Sequence, residues 1–286
     1  MTWDEAVVHT LNGVSMGMLL FLLAAGLSLI YGLMKILNLT HGSYYLVGAY
    51  LASTIIAKTG SFWLALIVSA LVVAALGAVM ERWFLRRFHL DELPQTLLTF
   101  GFLFIIADIC LWIWGGDPIL LSKPAGFTQS FDIGASRYPA YRILLIAVGL
   151  VVAAGLWWLQ EYTRIGAMLR AGVDDAEIAR ALGIDVSLLF TLVFALGAFL
   201  AAVGGVMGGP IIGASPGADF DVMLLAFVVV IVGGLGSLKG ALVGGLVVGL
   251  LDNFGKIMFP EFALFTIFVP MAIILSFRPT GLFGRA

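Results

Sequence analysis

Stretches of almost uninterrupted apolar residues recur from one end of this chain to the other, and nothing else in it restricts the fold so severely. A helix rises about 1.5 Å per residue, so roughly 20 such residues cross the hydrocarbon core of a bilayer. LALIVSALVVAALGAVM at 64–80, LLTFGFLFIIADICLWIW at 97–114 and TLVFALGAFLAAVGGVMGG at 191–209 are of this kind. Nine apolar spans are read near 11–30, 45–57, 62–80, 94–114, 141–159, 187–208, 220–235, 240–258 and 261–277. Inside lipid every backbone polar group needs an internal partner, which leaves helices as the economical solution for spans of this length. Span 45–57 is too short to cross alone and is assigned to a broken helix together with 31–44.

Charge agrees with this. Soluble domains carry about 25% charged residues, whereas only 11% of these 286 residues are Asp, Glu, Lys or Arg. The expected fold is an all-α, polytopic transmembrane helical bundle with broken helices, one domain over 1–286. A net charge of −2 argues against a nucleic-acid role. The N-terminal MTWDEAVVHTLNG lacks a basic segment and a cleavage site, so it reads as the start of the mature chain. Cys110 is the single cysteine and reads as a buried structural thiol.

Lys and Arg accumulate on the cytoplasmic side of membrane proteins. With the N-terminus outside, ten fall on the inner side (Lys35, Arg82, Arg86, Arg87, Arg164, Arg170, Arg180, Lys239, Arg278, Arg285) and five on the outer (Lys58, Lys123, Arg137, Arg142, Lys256). The C-terminal FRPTGLFGRA and the polar stretch 161–185 are therefore expected in the cytoplasm. The longest outer loop, 115–140, reads as an ordinary surface connection.

Few residues inside the spans bear chemistry. NLTHG at 38–42 interrupts the N-terminal apolar region, and Asn38, Thr40, His41 and Ser43 can satisfy backbone groups freed at a helix break. Such breaks also line transport paths, which makes Asn38, His41 and Gly42 path candidates. His41 has only His9 and His89 as companions, at no metal-ligand spacing. Asp108 is the one carboxylate well inside a span; it either binds a cation or proton or bonds a neighbouring helix. Asp252 lies near the end of its span, within reach of the interface. Small residues at four-residue spacing, Gly197, Ala201, Gly205 and Gly209, then Ala241, Gly245 and Gly249, allow close helix packing or line a path. GGLGSLKG at 233–240 reads as a helix break or tight turn, with Gly234 and Gly236 as further path candidates. It is no phosphate loop, because Leu238 and Gly240 stand where that loop needs a glycine and a hydroxyl.

The stretch EYTRIGAMLRAGVDDAEIARALGID, 161–185, holds eight charged residues. Asp174 and Glu177 have capping-box spacing, and Gly183 sits where a left-handed residue ends a helix. A short helix is expected between them. Ile178, Ala179, Ala181 and Leu182 give it an apolar side, and Asp175 and Arg180 are expected to face water. It either lies on the membrane surface or docks a partner.

RIGAMLRAGVDDAEIARALGI, NGVSMGMLLFLLAAGLSLIYGLMKILNLTHGSYYLVGAYLA, VIVGGLGSLKGALVGGLVVGLL and RPTGLFGR resemble the permease subunits of bacterial ABC importers of the branched-chain amino acid (hydrophobic amino acid uptake) family. The first is similar to the family's coupling loop. Glu177, Ala179 and Gly183 match E-x-A-x-x-x-G, while Ile178 departs from the first Ala and no I-x-L-P follows. The resemblance implies an inner-membrane transport subunit, not an enzyme, that binds no cofactor itself. ATP would be used by two cytoplasmic ATPase subunits contacted through Arg170, Asp174, Asp175, Glu177, Ala179 and Gly183. It further implies a second, non-identical permease subunit and a periplasmic or lipid-anchored solute-binding protein. The solutes would be branched-chain amino acids or related small polar or carboxylate compounds. The alternative is a stand-alone secondary transporter or channel that uses Asp108 for ion coupling.

Overall fold

The computed structural model describes residues 3–88, 91–134, 136–263 and 265–284; His89 and Arg285, which enter the readings above, lie outside them. Eleven α-helices are described: α1 (Trp3–Met34), α2 (His41–Thr59), α3 (Phe62–Trp83), α4 (Glu92–Trp114), α5 (Ala140–Tyr162), α6 (Arg164–Asp174), α7 (Ala176–Ala181), α8 (Val186–Gly208), α9 (Ala218–Gly233), α10 (Leu238–Met258) and α11 (Phe265–Phe277). Six helical stretches are long and apolar enough to cross a membrane, namely α1, Phe62–Phe88 (α3 with the turn after it), α4, α5, α8 and α10. The nine spans thus resolve into these six and three shorter helices, α2, α9 and α11, of 19, 16 and 13 residues.

Apolar on every side, α1 is buried on nearly every side from Gly17 to Leu33. It runs through the middle of the bundle and packs against α5, α8, α9 and α10. Lipid gives apolar helices no reason to associate, so attraction between them depends on close backbone approach. Gly13 and Gly17 of α1 meet Gly245 and Gly249 of α10; a Cβ on Gly17 would stand 2.7 Å from the Gly245 carbonyl oxygen. Gly26 meets Gly197 of α8 in the same way, also at 2.7 Å from a carbonyl oxygen. For Gly197, Gly245 and Gly249, helix packing is what the structure shows.

The expected helix break is present, slightly earlier than NLTHG. The apolar run continues as α1 to Met34, the irregular segment is 35–40, and α2 starts at His41. Lys35 closes α1 in the left-handed region at φ 57°, unusual for a residue with a side chain. Residues 45–57 are the body of α2, the helix that follows this break.

The 115–140 loop also differs from expectation. Ser130–Ile133 (β1) and Ser136–Pro139 (β2) form an antiparallel hairpin. Ile119 pairs with Ala214 in the loop between α8 and α9. Leu121 and Tyr138 are buried, and the Tyr138 hydroxyl donates to the Leu11 carbonyl at 3.0 Å. Apolar and aromatic side chains within 115–140 give this loop a core contact that its Gly, Pro and Ser content conceals.

Candidate functional site

The polar stretch between α5 and α8 is built from three capped junctions. Thr163 begins α6, its Oγ1 accepting from the Gly166 amide at 3.1 Å. Asp175 ends α6 and begins α7, its Oδ1 accepting from the amides of Glu177 and Ile178, each at 2.9 Å. Asp185 starts α8, accepting from the Leu188 amide at 3.0 Å. The capping residue is therefore Asp175 and not Asp174. Asp174 is still the last residue of α6, whereas Asp175 takes the extended conformation (φ −157°) that an N-cap needs.

Gly183 stops α7 as expected, at φ 84°. Its amide donates to the Arg180 carbonyl and the Ile184 amide to the Ala179 carbonyl, both at 3.0 Å. These are the two bonds of a Schellman motif. No atom beyond its chain neighbours stands within 4 Å of where a Cβ would be, so glycine is required there by the backbone alone.

Of the apolar residues assigned to α7, only Ala179 is buried. Ile178 is 59% and Leu182 75% exposed, next to exposed Glu177 and Arg180. The unit is held from below instead. Arg170 donates to the Gln160 carbonyl, and Gly172 of α6 packs on Leu33 near the end of α1.

A charge cluster absent from the sequence reading adjoins this unit. Glu81 near the end of α3 is fully buried and lies 3.3 Å from the Arg86 guanidinium. Arg86 also donates to the Ser187 carbonyl at 2.8 Å and to Thr191 Oγ1 at 2.7 Å, both on α8. The carboxylate–guanidinium pair five residues apart in ERWFLRR was the available signal; its partners on α8 lie about a hundred residues away.

The path candidates do not converge on one site. Asn38, His41 and Gly42 cluster at the break. Asn38 Oδ1 accepts from the Thr40 amide at 3.2 Å, and Thr40 Oγ1 donates to the Thr99 carbonyl on α4 at 2.9 Å. His41 Nε2 lies 2.8 Å from the Leu23 carbonyl of α1, a geometry in which the ring N–H donates. Asn38 Nδ2 and His41 Nδ1 are buried without a hydrogen-bond partner. Gly42 touches the backbone of Asp219 in the first turn of α9. Gly234 and Gly236 lie elsewhere, in the turn between α9 and α10, at φ 107° and 76°. Gly236 faces Gly32 at the far end of α1, and Gly234 touches Gly284. Asp108 is exposed on the outside of α4, away from the break. Asp252 is buried and bonded to Lys256 at 2.8 Å, so it does not reach free solvent.

Among the described residues no group of three or more His, Cys, Asp or Glu is placed to hold a metal ion.

Comparison with known proteins accounts for this architecture. The chain is similar to the high-affinity branched-chain amino acid transport system permease protein BraD of Pseudomonas aeruginosa, 29% identical over 96% of this chain and 94% of that protein. It is also similar to LivH of Escherichia coli, a permease protein of a system of the same description, at 29% identity and the same coverage. A lower similarity, 27% over 94% of this chain and 68% of the other, relates it to the permease protein LivM of Salmonella typhimurium. No solved structure matches. The family model for the branched-chain amino acid transport system, permease component, matches residues 9–276, and the chain belongs to that family.

Proposed function

We propose that this chain is one of two membrane subunits of an ATP-driven importer for branched-chain amino acids or related small polar solutes. In this reading the other membrane subunit is a non-identical homologue. Two cytoplasmic ATPases dock on 161–185, and a periplasmic or lipid-anchored protein delivers the solute. The chain is a single permease domain over 1–286 in the bacterial inner membrane, N-terminus outside and C-terminus in the cytoplasm.

The observation that carries this reading is α7. It is capped at both ends, yet it leaves Ile178 and Leu182 uncovered beside Glu177 and Arg180. A helix cap contributes about 1 kcal/mol, so two stops on a six-residue helix hold that exposed side in a defined shape. Asp175 supplies the first stop, Gly183 the second, and Ala179 seats the helix; Arg170 and Asp174 belong to the supporting α6. The matched relatives are named as permease proteins of transport systems, and none of these descriptions favours a self-sufficient transporter driven through Asp108.

Gly183→Val tests the docking. A β-branched residue in the left-handed region costs roughly 1–2 kcal/mol, enough to deform the end of α7 while leaving the spans in place. In the reconstituted complex, ATP hydrolysis continues while ATP-dependent uptake falls at least tenfold. Gly183→Asn, which tolerates that conformation, retains uptake. Normal uptake by the valine variant would remove α7 as the dock.

A further inference from the structure

α9 begins beside the middle of α4. Phe220 in its first turn packs against Phe104, their ring centroids 6.1 Å apart. Phe104 lies halfway along α4, which spans 23 residues, about 34 Å. The loop between α8 and α9 therefore descends from the outer end of α8 to about mid-depth before α9 starts. Asp221, the residue after Phe220, is exposed at that depth. Asp108, one turn beyond Phe104 on the same side of α4, is exposed as well, about 9 Å inside the outer end of the helix.

The buried residues of α4 are Gln95, Thr99, Leu103, Ile106 and Cys110, a stripe at helical spacing that faces α2. Asp108 stands on the opposite side, in a row with Leu97, Phe104 and Trp112, all exposed. The outward sides of α3 and α5 differ. Between Phe62 and Met80, and between Ile143 and Gln160, no charged residue occurs, and Ile67, Leu71, Leu150 and Val151 are exposed there. Those two surfaces suit lipid. A carboxylate facing hydrocarbon costs on the order of 3 kcal/mol at the centre of a span, and the α4–α9 surface carries two.

We infer that the α4–α9 face bearing Phe104, Asp108, Phe220 and Asp221 is the seam against the second membrane subunit, with the aqueous path running between them. This rests on the importer reading above and gives that path a wall. The second subunit presents hydrogen-bond donors at the depth of Asp108 and Asp221, and the aromatic residues supply the apolar contact around them. The carboxylates then face water and donors instead of lipid, and their charge suits a solute that carries an ammonium group.

Photocrosslinking in the intact complex tests the seam. The benzophenone amino acid p-benzoylphenylalanine is placed at Phe104 or Trp112 on α4, and at Val151 or Trp157 on α5. Irradiation is expected to join the α4 positions to the second membrane subunit, identified by mass, and the α5 positions to no protein. In a Cys110→Ala background, Asp108→Cys and Asp221→Cys are expected to react with a membrane-impermeant methanethiosulfonate at least tenfold faster than Val151→Cys. Adducts to the second subunit from α5 and not from α4 overturn the assignment, as does labelling of both aspartate positions no faster than Val151→Cys. In those cases ATPases that still co-purify with the chain would leave the importer reading standing. Loss of both ATPases and second subunit from the purified complex would remove that reading and the seam together.

Discussion

Arg86 answers a buried charge, and the bundle depends on it for that reason. Glu81 has no exposed side-chain surface, and the Arg86 guanidinium 3.3 Å away pairs with it. Thr191 adds a hydroxyl at 2.5 Å. Removing one member of a buried pair costs about 3–5 kcal/mol, because the other is left uncompensated. Arg86 is itself 32% exposed, which places Arg86→Ala at the lower end, about 3 kcal/mol. Thermal unfolding in detergent should show the loss, and Glu81→Gln combined with Arg86→Ala should restore part of it. A melting temperature unchanged by Arg86→Ala would show that Glu81 is satisfied by other groups. The residue scale was also the least legible. ERWFLRR displays the acid and the base but gives no depth, and burial is what turns an ordinary charge cluster into a clamp. The capping aspartate was misplaced by one position for a related reason. Asp174 and Asp175 are equivalent as residue types, and the helix that precedes them decides which is left free to cap.

Helices pair here through absent side chains. Gly13 and Gly17 on α1 and Gly245 and Gly249 on α10 let the two backbones touch. Gly17→Leu should therefore separate the pair, at a cost of about 3 kcal/mol or more, and broaden the size-exclusion peak of the detergent-solubilised protein. Gly155→Leu on the open side of α5, where a Cβ meets nothing within 4 Å, should leave that peak unchanged. Equal behaviour of the two variants would contradict the packing role. The spacing of Gly197, Gly245 and Gly249 was visible in the sequence, but not whether they pack or line a path, since both uses favour small residues. Helix existence was read well because twenty apolar residues in lipid have few other options. α2 and α9 were harder. Both begin against the flanks of longer helices, His41 beside Leu23 of α1 and Phe220 beside Phe104 of α4, and hydropathy reports how apolar a segment is, not where it starts.

At the scale of the whole molecule, the proposed function makes this chain half of a path. Proteoliposomes that contain it alone should show no uptake of branched-chain amino acids above protein-free vesicles, with or without an ion gradient. Uptake should appear when the second subunit, both ATPases and the binding protein are added together with ATP. Gradient-driven uptake by the single chain would contradict the proposed division of labour. The two ends of the polar stretch are also attached to the bundle unequally. At α8 the attachment is stiff, because Arg86 bonds Ser187 and Thr191 while holding a buried carboxylate. At the other end α6 is tied to α5 by Arg170 on the Gln160 carbonyl, and the chain turns into α7 at Asp175, which serves as the last cap of one helix and the first of the next. A single residue offers two soft torsions, so this corner is a swivel and the α8 corner a fixed pivot. A load applied to α7 would turn about the pivot and be delivered through the swivel to α6, whose Gly172 rests on Leu33. The bundle would then receive it at the foot of its central helix, beside the 35–40 break, where a small rotation shifts both α2 and α4.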